Sequence, residues 1–302
     1  MKAKDRSALF TGLTGAAVWA ILATLALILG ISLAGGAPGF SWRLLAGRPG
    51  RDMFDIASTG LYPMIFGTVS RVFLMTLFVV PAGVITAVYL SEYAPKRSWA
   101  TRFLRSAIEN LAGVPSIVFG LFGLGFFVGF LGAGMDGLLG GGSRFGRPAL
   151  FWASMTLAVM TLPVVIVATE EALRSIPAGI REGALALGAT RIQVILRIVL
   201  PQAVPGILTG AILAVGRAAG EVAPILFTGA AFSTDGVSDG VFDRFMDLAY
   251  HIFVLSTQSP NLDRTRPLLG ATVLVLLLLT VTLNLLAVFV RARMSSSTRT
   301  SH

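Results

Sequence analysis

Six long apolar segments, separated by loops that hold most of the charged residues, constrain this chain more than any other feature. Each segment reaches the roughly 20 apolar residues that an α-helix needs to cross the hydrocarbon core of a bilayer. Because lipid offers no hydrogen-bond partners, a backbone at that depth must satisfy its own polar groups, as a helix does. The sequence therefore predicts an all-α, polytopic membrane protein. The six expected transmembrane helices lie at about residues 15–34, 64–90, 107–131, 148–168, 205–231 and 268–290.

The charge balance of the chain agrees with this interpretation. Hydrophobic residues make up 55% of the chain and charged residues 13%, a composition that a soluble protein of this length could not bury. The formal net charge of +9 could indicate a nucleic-acid-binding protein, but the basic residues are scattered between the apolar segments. More of them fall on one set of alternating loops, which the positive-inside rule assigns to the cytoplasm together with both termini. We therefore expect a lipid bilayer, and no nucleic acid, around this chain.

The sequence lacks the residues that metal, cofactor and catalytic sites commonly use. It has no cysteine, and its two histidines, His251 and His302, are too far apart to form a histidine metal cluster on their own. No GxxxxGK[ST] phosphate loop is present, so we do not expect ATP to bind in that way. No nucleophile and base can be combined into a catalytic group. We expect a non-enzymatic protein without metal or cofactor, whose energy comes from a partner or a gradient.

Residues 170–206 are the least membrane-like long segment of the chain. A short helix is expected from Ala178 to Leu187, and Gly188 can take the left-handed conformation that ends a helix. Thr190 followed by Gln193 has the spacing of a capping box, which predicts the start of a second helix. Such a helix–turn–helix, rich in small residues and placed between two spans, is suited to fill a groove on another protein.

A charged pair lies inside the fifth apolar segment. Arg217 and Glu221 are four residues apart, so they share one helix face and can form an ion pair. Each would cost about 2.5–3.5 kcal/mol at the centre of a bilayer, and such groups persist mainly where they face a bundle interior or an aqueous cavity. Two interpretations stay open. Arg217 could contact an oxyanion in a central pathway while Glu221 holds it in place, or the pair could be a structural bridge between helices.

Three other features of the apolar segments lead to structural predictions. Arg71 lies near the outer end of the second span, and we expect it to snorkel toward the headgroups. Pro115 should kink or break the third span, since proline cannot donate a backbone hydrogen bond. In the acidic outer loop at residues 232–265, apolar residues at helical spacing from Val241 to Phe253 predict an amphipathic surface helix.

The segment around Gly188 resembles the EAA loop of ABC importer permeases. The resemblance rests on Glu182-Gly183-Ala184, on Gly188 at the family spacing, and on an Ile-Val-Leu-Pro run that ends at Pro201. In the family pattern the glutamate is followed by two alanines, and here Gly183 replaces one of them. In that family the loop is the cytoplasmic coupling helix that docks into the ATPase subunit. The resemblance therefore implies that these residues couple this chain to an ATPase.

Over most of residues 63–230 the chain resembles the phosphate-specific permeases of this family, and its PstA-type subunits in particular. The matching motifs are GRAAGEVAPILFT in the fifth span and LAGVPSIVFGLFGL in the third. The resemblance implies that Arg217 and Glu221 are the intramembrane charged pair of the family, and it makes Ser116, with Pro115, a candidate for the translocation pathway. It also implies a bacterial inner-membrane location, a PstC-like second permease, two PstB-like ATPase subunits, a periplasmic PstS-like phosphate-binding protein, and phosphate as the solute.

Other functions compete with phosphate import as interpretations of the sequence. The coupling loop would suit an ABC importer of sulfate or molybdate equally well, whereas the charged pair and the third-span motif favour phosphate. A gradient-driven carrier or channel would predict an inverted repeat or further intramembrane carboxylates, and neither is obvious. We divide the chain into an N-terminal tail, first helix and outer loop (1–62), a permease core of five helices (63–291) and a cytoplasmic tail (292–302).

Overall fold

The computed structural model describes residues 3–50, 52–95, 97–140, 142, 144–234, 236–238 and 240–299. Over this part of the chain the regular structure is helical, apart from one isolated bridge between Ala230 and Phe245. The α-helices are α1 (Ala3–Gly36), α2 (Trp42–Ala46), α3 (Tyr62–Val88), α4 (Trp99–Ala112), α5 (Ser116–Phe122), α6 (Ala133–Leu139), α7 (Leu150–Arg174), α8 (Ala178–Ala186), α9 (Arg191–Val194), α10 (Leu200–Ala219), α11 (Ala223–Thr228), α12 (Leu248–Thr257) and α13 (Leu262–Arg299). A 3₁₀ turn follows α1 (Ala37–Gly39), and π-helical stretches follow α3 (Tyr89–Tyr93), join α5 to α6 (Gly123–Gly132) and join α9 to α10 (Ile195–Val199).

Six helical stretches are long and apolar enough to cross a membrane, which confirms the predicted all-α fold with six spans. They are Thr11–Gly39, Tyr62–Tyr93, Ser116–Leu139, Leu150–Arg174, Arg191–Ala219 and Leu262–Met294.

Helix α7 lies at the centre of the bundle, with α3 and α10 packed against it. Small residues let the backbones approach closely: a Cβ on Gly83 of α3 would lie 2.6 Å from a methyl carbon of Val165. Gly210 of α10 likewise leaves room for Ala168, 2.7 Å from where its own Cβ would be. Because lipid tails are as apolar as leucine, this close packing, rather than hydrophobic burial, holds membrane helices together.

Helix α1 lies at the edge of the bundle and packs along α13. At their crossing, a Cβ on Gly36 would lie 2.5 Å from the carbonyl oxygen of Gly270, so both helices need glycine there. No residue in the most apolar stretch of the first span is buried by the rest of the chain. The first helix is therefore an outer layer on a core made by the later spans.

The third span begins later than predicted, at Ser116 instead of near residue 107. Helix α4 ends at Ala112, and Gly113 and Val114 form a turn before Pro115, whose ring and missing N–H prevent helical continuation. The predicted break at Pro115 is confirmed. The residues before it form a separate amphipathic helix, on which Trp99 and Phe103 are stacked at 5.6 Å and exposed.

The fifth span also begins and ends at other residues than predicted. It begins at Arg191, well before Pro205, and stops at Ala219, before the expected end at residue 231. Pro201 neither ends nor breaks it, because it sits in the first turn of α10, directly after the π-helical stretch, where a missing N–H is tolerated. Gly220 then ends α10, and the short helix α11 follows.

The predicted amphipathic helix of the outer loop starts later than the sequence pattern indicated. Asp247 is the N-cap of α12, and its Oδ1 accepts hydrogen bonds from the backbone N–H groups of Ala249 and Tyr250. Phe245 is not helical, since it pairs with Ala230 in the isolated bridge. Aspartate is a strong N-cap residue, and here that local preference outweighs the helical spacing of the earlier apolar residues.

Ion pairs join loops that the sequence assigns to the same side of the membrane. Arg264 donates to Asp55 at 2.8 Å and links the two large outer loops, and this hydrogen bond holds the pKa of the Asp55 carboxyl below its ordinary value. At the other end of the bundle, Arg105 pairs with Glu170 at 2.7 Å. The predicted division of the loops between two sides is thus matched by the contacts.

Candidate translocation site and coupling surface

The charged pair lies where the fifth span breaks. Arg217 is in the last turn of α10, and Gly220 ends that helix. The backbone N–H of Glu221 turns back to the carbonyl oxygen of Ala218 at 3.3 Å, which fixes the position of Glu221 beyond the helix. The Nε of Arg217 is 3.6 Å from Oε1 of Glu221. The predicted pairing is present, but it is long for a hydrogen bond.

Both charged side chains open onto the surface of the chain. The Arg217 side chain is 43% exposed and that of Glu221 is 21% exposed. Among the residues that the structure describes, none forms a hydrogen bond with the Arg217 guanidinium. Its Nε faces Glu221, and the four N–H donors on the two Nη atoms can bind another group.

The packing of α10 on α7 places Arg217 within the membrane-spanning layer. Gly206 of α10 lies against Ala172 of α7, and Gly210 lies against Ala168. The two helices therefore run antiparallel. Arg217 is seven residues beyond Gly210, about 10 Å farther toward the start of α7, which places it near the middle of that helix. A guanidinium at this depth must face water or another protein, because exposure to lipid is unfavourable.

The broken third span starts beside the break in the fifth. A Cβ on Gly120 would lie 2.7 Å from the carbonyl oxygen of Ala223, and one on Gly123 would lie 2.8 Å from a carbon of Thr228. Helices α5 and α11 are thus parallel and in close contact, and the start of α11 lies beside Gly120, about one turn into α5. Ser116 is the first residue of α5 and is half-buried. The structure therefore brings the Pro115–Ser116 turn into the layer that holds Glu221, without a direct bond between their side chains among the described residues.

The structure holds a second ion pair, between buried side chains, that the sequence patterns did not predict. Arg71 was predicted to snorkel toward the headgroups, and this prediction is wrong. Its side chain is fully buried, and so is that of its partner Asp247. Its Nε donates to Oδ2 of Asp247 at 3.0 Å, and its Nη1 and Nη2 donate to the carbonyl oxygens of Ala218 and Ala219 at 2.9 and 3.3 Å. The signal in the sequence was an unpaired arginine in one span and, far along the chain, an aspartate within an apolar run.

The predicted coupling hairpin is present. Helix α8 begins after Pro177, and Gly188 has φ of +86°, the left-handed region that favours glycine. Thr190 and Gln193 form the expected reciprocal capping box. The structure places the candidate coupling residues at the surface: Glu182, Gly183 and Gly188 are exposed and Ala184 is half-buried.

The hairpin exposes apolar residues at its tip and is held rigidly at its base. Leu187 is 90% exposed. Arg181 donates to Oε1 of Glu92 at 3.0 Å and to the carbonyl oxygens of Leu173 and Ile176, both at 2.7 Å. Pro201 is exposed but lies about 15 Å farther along the helix that follows the turn. The surface near Gly188 is therefore a firm, partly apolar contact face from which Pro201 is set apart.

The comparisons with known proteins agree with this architecture. Residues 79–300 match the model of the family described as "Binding-protein-dependent transport system inner membrane component". The chain belongs to this family. It is therefore an ABC importer permease subunit, a membrane protein that serves in transport.

Some of the similar proteins carry names that include a substrate, and others are named only as permeases. "Probable ABC transporter permease protein YqgI" of Bacillus subtilis is 33% identical over 270 residues, which cover 85% of this chain and 86% of that protein. "Phosphate transport system permease protein PstA 1" of Mycobacterium tuberculosis is 37% identical over 167 residues, or 55% of this chain and 49% of that protein. "Phosphate transport system permease protein PstC" of Pasteurella multocida is 33% identical over 183 residues, 56% of each. The phosphate permeases thus match about half of this chain.

Solved structures of ABC transporters share the fold. A chain of a bacterial importer of the acidic polysaccharide alginate superimposes with a TM-score of 0.64 at 17% identity, covering 96% of both chains. A chain of the MetNI methionine transporter, in an inward-facing conformation, gives a TM-score of 0.56 at 20% identity, covering 78% of this chain and 95% of that one.

Proposed function

We propose that this chain is the PstA-type permease subunit of an ATP-driven importer of inorganic phosphate. It lies in the bacterial inner membrane with both termini in the cytoplasm. It forms the translocation pathway with a PstC-like second permease, and two PstB-like ATPase subunits drive the transport. A periplasmic PstS-like protein delivers the phosphate.

The observation that carries this proposal is the state of Arg217. Its guanidinium lies in the membrane-spanning layer, is 43% exposed and is held only loosely by Glu221. An exposed guanidinium at this depth needs an aqueous pathway or a second subunit over it. Its planar donors match two oxygens of a phosphate.

The neighbouring groups suit a transient anion site. Glu221 offsets part of the charge of Arg217, so that a phosphate bound there can also leave. Ser116 contributes a hydroxyl in the same layer, and Pro115 creates the break that opens this part of the third span. The similarity of this chain to phosphate permeases supports phosphate over other anions.

The coupling surface has a separate role in the proposal. Glu182, Gly183, Ala184 and Gly188 form the face that docks into the ATPase, and the exposed small residues allow close approach of a partner groove. The bonds of Arg181 to the end of α7 make this face rigid, so that movement of the ATPase passes into the bundle. Pro201 supports this face from the following helix instead of touching the partner at the tip.

The test is transport by the whole complex in reconstituted vesicles, with labelled phosphate, ATP and saturating binding protein. The proposal predicts uptake that requires ATP hydrolysis and is unaffected by excess sulfate or molybdate. Uptake of sulfate or molybdate in place of phosphate would reassign the solute. Uptake driven by an ion gradient without ATP would refute the importer mechanism for this chain.

A further inference from the structure

Arg71 connects three elements that are far apart in the sequence. From α3 it reaches the C-terminal carbonyl groups of α10, at Ala218 and Ala219, and the N-cap residue of α12, Asp247. Both members of the ion pair are fully buried. The guanidinium fork is therefore fixed by bonds in three directions.

Asp247 is itself held in place on every side. Its Oδ2 accepts from the hydroxyl of Thr68 at 3.0 Å as well as from Arg71. Its Oδ1 caps the first turn of α12. The Thr68 hydroxyl oxygen also accepts from the backbone N–H of Leu248 at 3.0 Å. Arg71 is thus anchored to a carboxylate that cannot turn away without uncapping α12.

The carbonyl oxygen of Ala218 is shared between this network and the proposed translocation site. It accepts from Nη1 of Arg71 at 2.9 Å and from the backbone N–H of Glu221 at 3.3 Å. The residue before Ala218 is Arg217. The turn that sets the separation of Arg217 and Glu221 is therefore built on an atom that Arg71 holds.

We infer that Arg71 is a positioning residue of the translocation site, which fixes the turn at Gly220 and thereby the geometry of Arg217 and Glu221. This inference rests on the proposed function for its effect on transport, but not for its effect on the turn. Arg71 itself is fully buried and does not touch the solute. It acts by ordering the end of α10, and Asp247 orders Arg71 in turn.

Replacement by lysine separates this role from simple charge burial. In Arg71→Lys the positive charge remains beside Asp247, but a single ammonium group cannot reproduce the planar fork that reaches the carbonyl oxygens of both Ala218 and Ala219. The turn should then loosen while the ion pair persists.

The turn can be followed with a single cysteine, since the chain has none of its own. Val222 is half-buried and directly follows Glu221. In the assembled complex, Val222→Cys would be treated with a small water-soluble methanethiosulfonate, with and without Arg71→Lys. Arg105→Lys is the matched control, because Arg105 also bonds a carboxylate and a backbone carbonyl oxygen, those of Glu170 and Leu90, at the opposite end of the bundle.

We expect faster modification of the cysteine in Arg71→Lys and an unchanged rate in the control. Without the cysteine, Arg71→Lys should transport less phosphate per ATP hydrolysed by equal amounts of assembled complex. A purely structural role would instead lower the amount of complex and leave that ratio alone. Unchanged cysteine reactivity and an unchanged ratio in assembled Arg71→Lys would overturn the inference.

A second variant and one further outcome complete the test. If Arg71→Lys does not assemble, the same two measurements are made on Thr68→Val, which keeps Arg71 and removes the bonds of the Thr68 hydroxyl to Asp247 and to the Leu248 N–H. Unchanged cysteine reactivity and an unchanged transport ratio in that variant would count against the inference. If the wild-type complex hydrolyses ATP but moves no phosphate, the proposed function fails. The rate of cysteine modification in Val222→Cys then still decides whether Arg71 positions the turn.

Discussion

Removal of the Asp247 carboxylate should destabilise this protein strongly. In Asp247→Ala the guanidinium of Arg71 stays buried with only the two carbonyl oxygens of Ala218 and Ala219 as partners. The variant therefore keeps a fully buried positive charge that has lost its counter-ion.

The magnitude follows from the two functions of the carboxylate. Loss of one partner from a buried ion pair costs about 3–5 kcal/mol. The lost N-cap of α12 adds about 1 kcal/mol, since two backbone N–H groups lose their acceptor. We therefore expect Asp247→Ala to lower the free energy of unfolding by about 4–6 kcal/mol. Asp247→Asn keeps the cap and should lower it by about 1 kcal/mol less.

The assay is unfolding in mixed micelles by titration with sodium dodecyl sulfate, followed by tryptophan fluorescence. The double variant Arg71→Met/Asp247→Asn removes both charges, and a buried pair replaced by neutral groups is often nearly neutral in stability. It should therefore be more stable than Asp247→Asn alone. A loss below about 1 kcal/mol for Asp247→Ala, or additive effects in the double variant, would refute the reasoning.

Three other predictions concern single positions. Gly188→Ala should destabilise the hairpin by about 1–2 kcal/mol, because Gly188 has φ of +86°, and it should weaken co-purification of the ATPase. The control is Gly179→Ala, at a helical position where an added Cβ would meet no other atom. His251→Phe should stabilise the fold by about 1–3 kcal/mol in the same micelle titration, because both ring nitrogens are buried without partners among the described residues. Arg264 lowers the pKa of Asp55 below its ordinary value of 3.8, so the ionised carboxylate stabilises the fold above that pH, and this stabilisation is lost as the pH falls through the lowered pKa. In unfolding experiments, Asp55→Asn should therefore lose less stability on acidification than the wild type.

Local signals in the sequence predicted the number and type of the elements well. Apolar length alone identified all six spans, and the chemistry of Gly188, Thr190 and Pro115 correctly predicted a turn, a capping box and a break. The ends of the spans were less accurate. Hydropathy does not reveal that the π-helical stretch before Pro201 lets the fifth span run through that proline. It also does not reveal that Gly220 ends α10 before the apolar segment of the sequence is over.

The buried network around Arg71 could not be predicted in the same way. Its partner Asp247 is 176 positions away, and its other acceptors are backbone carbonyl groups that carry no residue-specific signal. The pair of Arg217 and Glu221 was predicted from its four-residue spacing, and the turn at Gly220 keeps the two side chains close although Glu221 lies beyond the end of α10. Contacts between residues that are close in the sequence can be read from it, whereas contacts between distant helices depend on packing that the sequence pattern does not contain.

The most direct test of the central claim is phosphate uptake by the reconstituted complex that carries Arg217→Ala. A lost charge-assisted contact of about 1.5–3 kcal/mol corresponds to a roughly 10- to 100-fold lower rate. Arg291→Ala is the matched control, since Arg291 contacts the same helix α10 through Thr209, farther from the break. We predict that uptake falls by this factor in Arg217→Ala, with ATPase subunits still bound, and is retained in Arg291→Ala. Wild-type uptake by Arg217→Ala would contradict the account and leave the pair with Glu221 as a structural bridge.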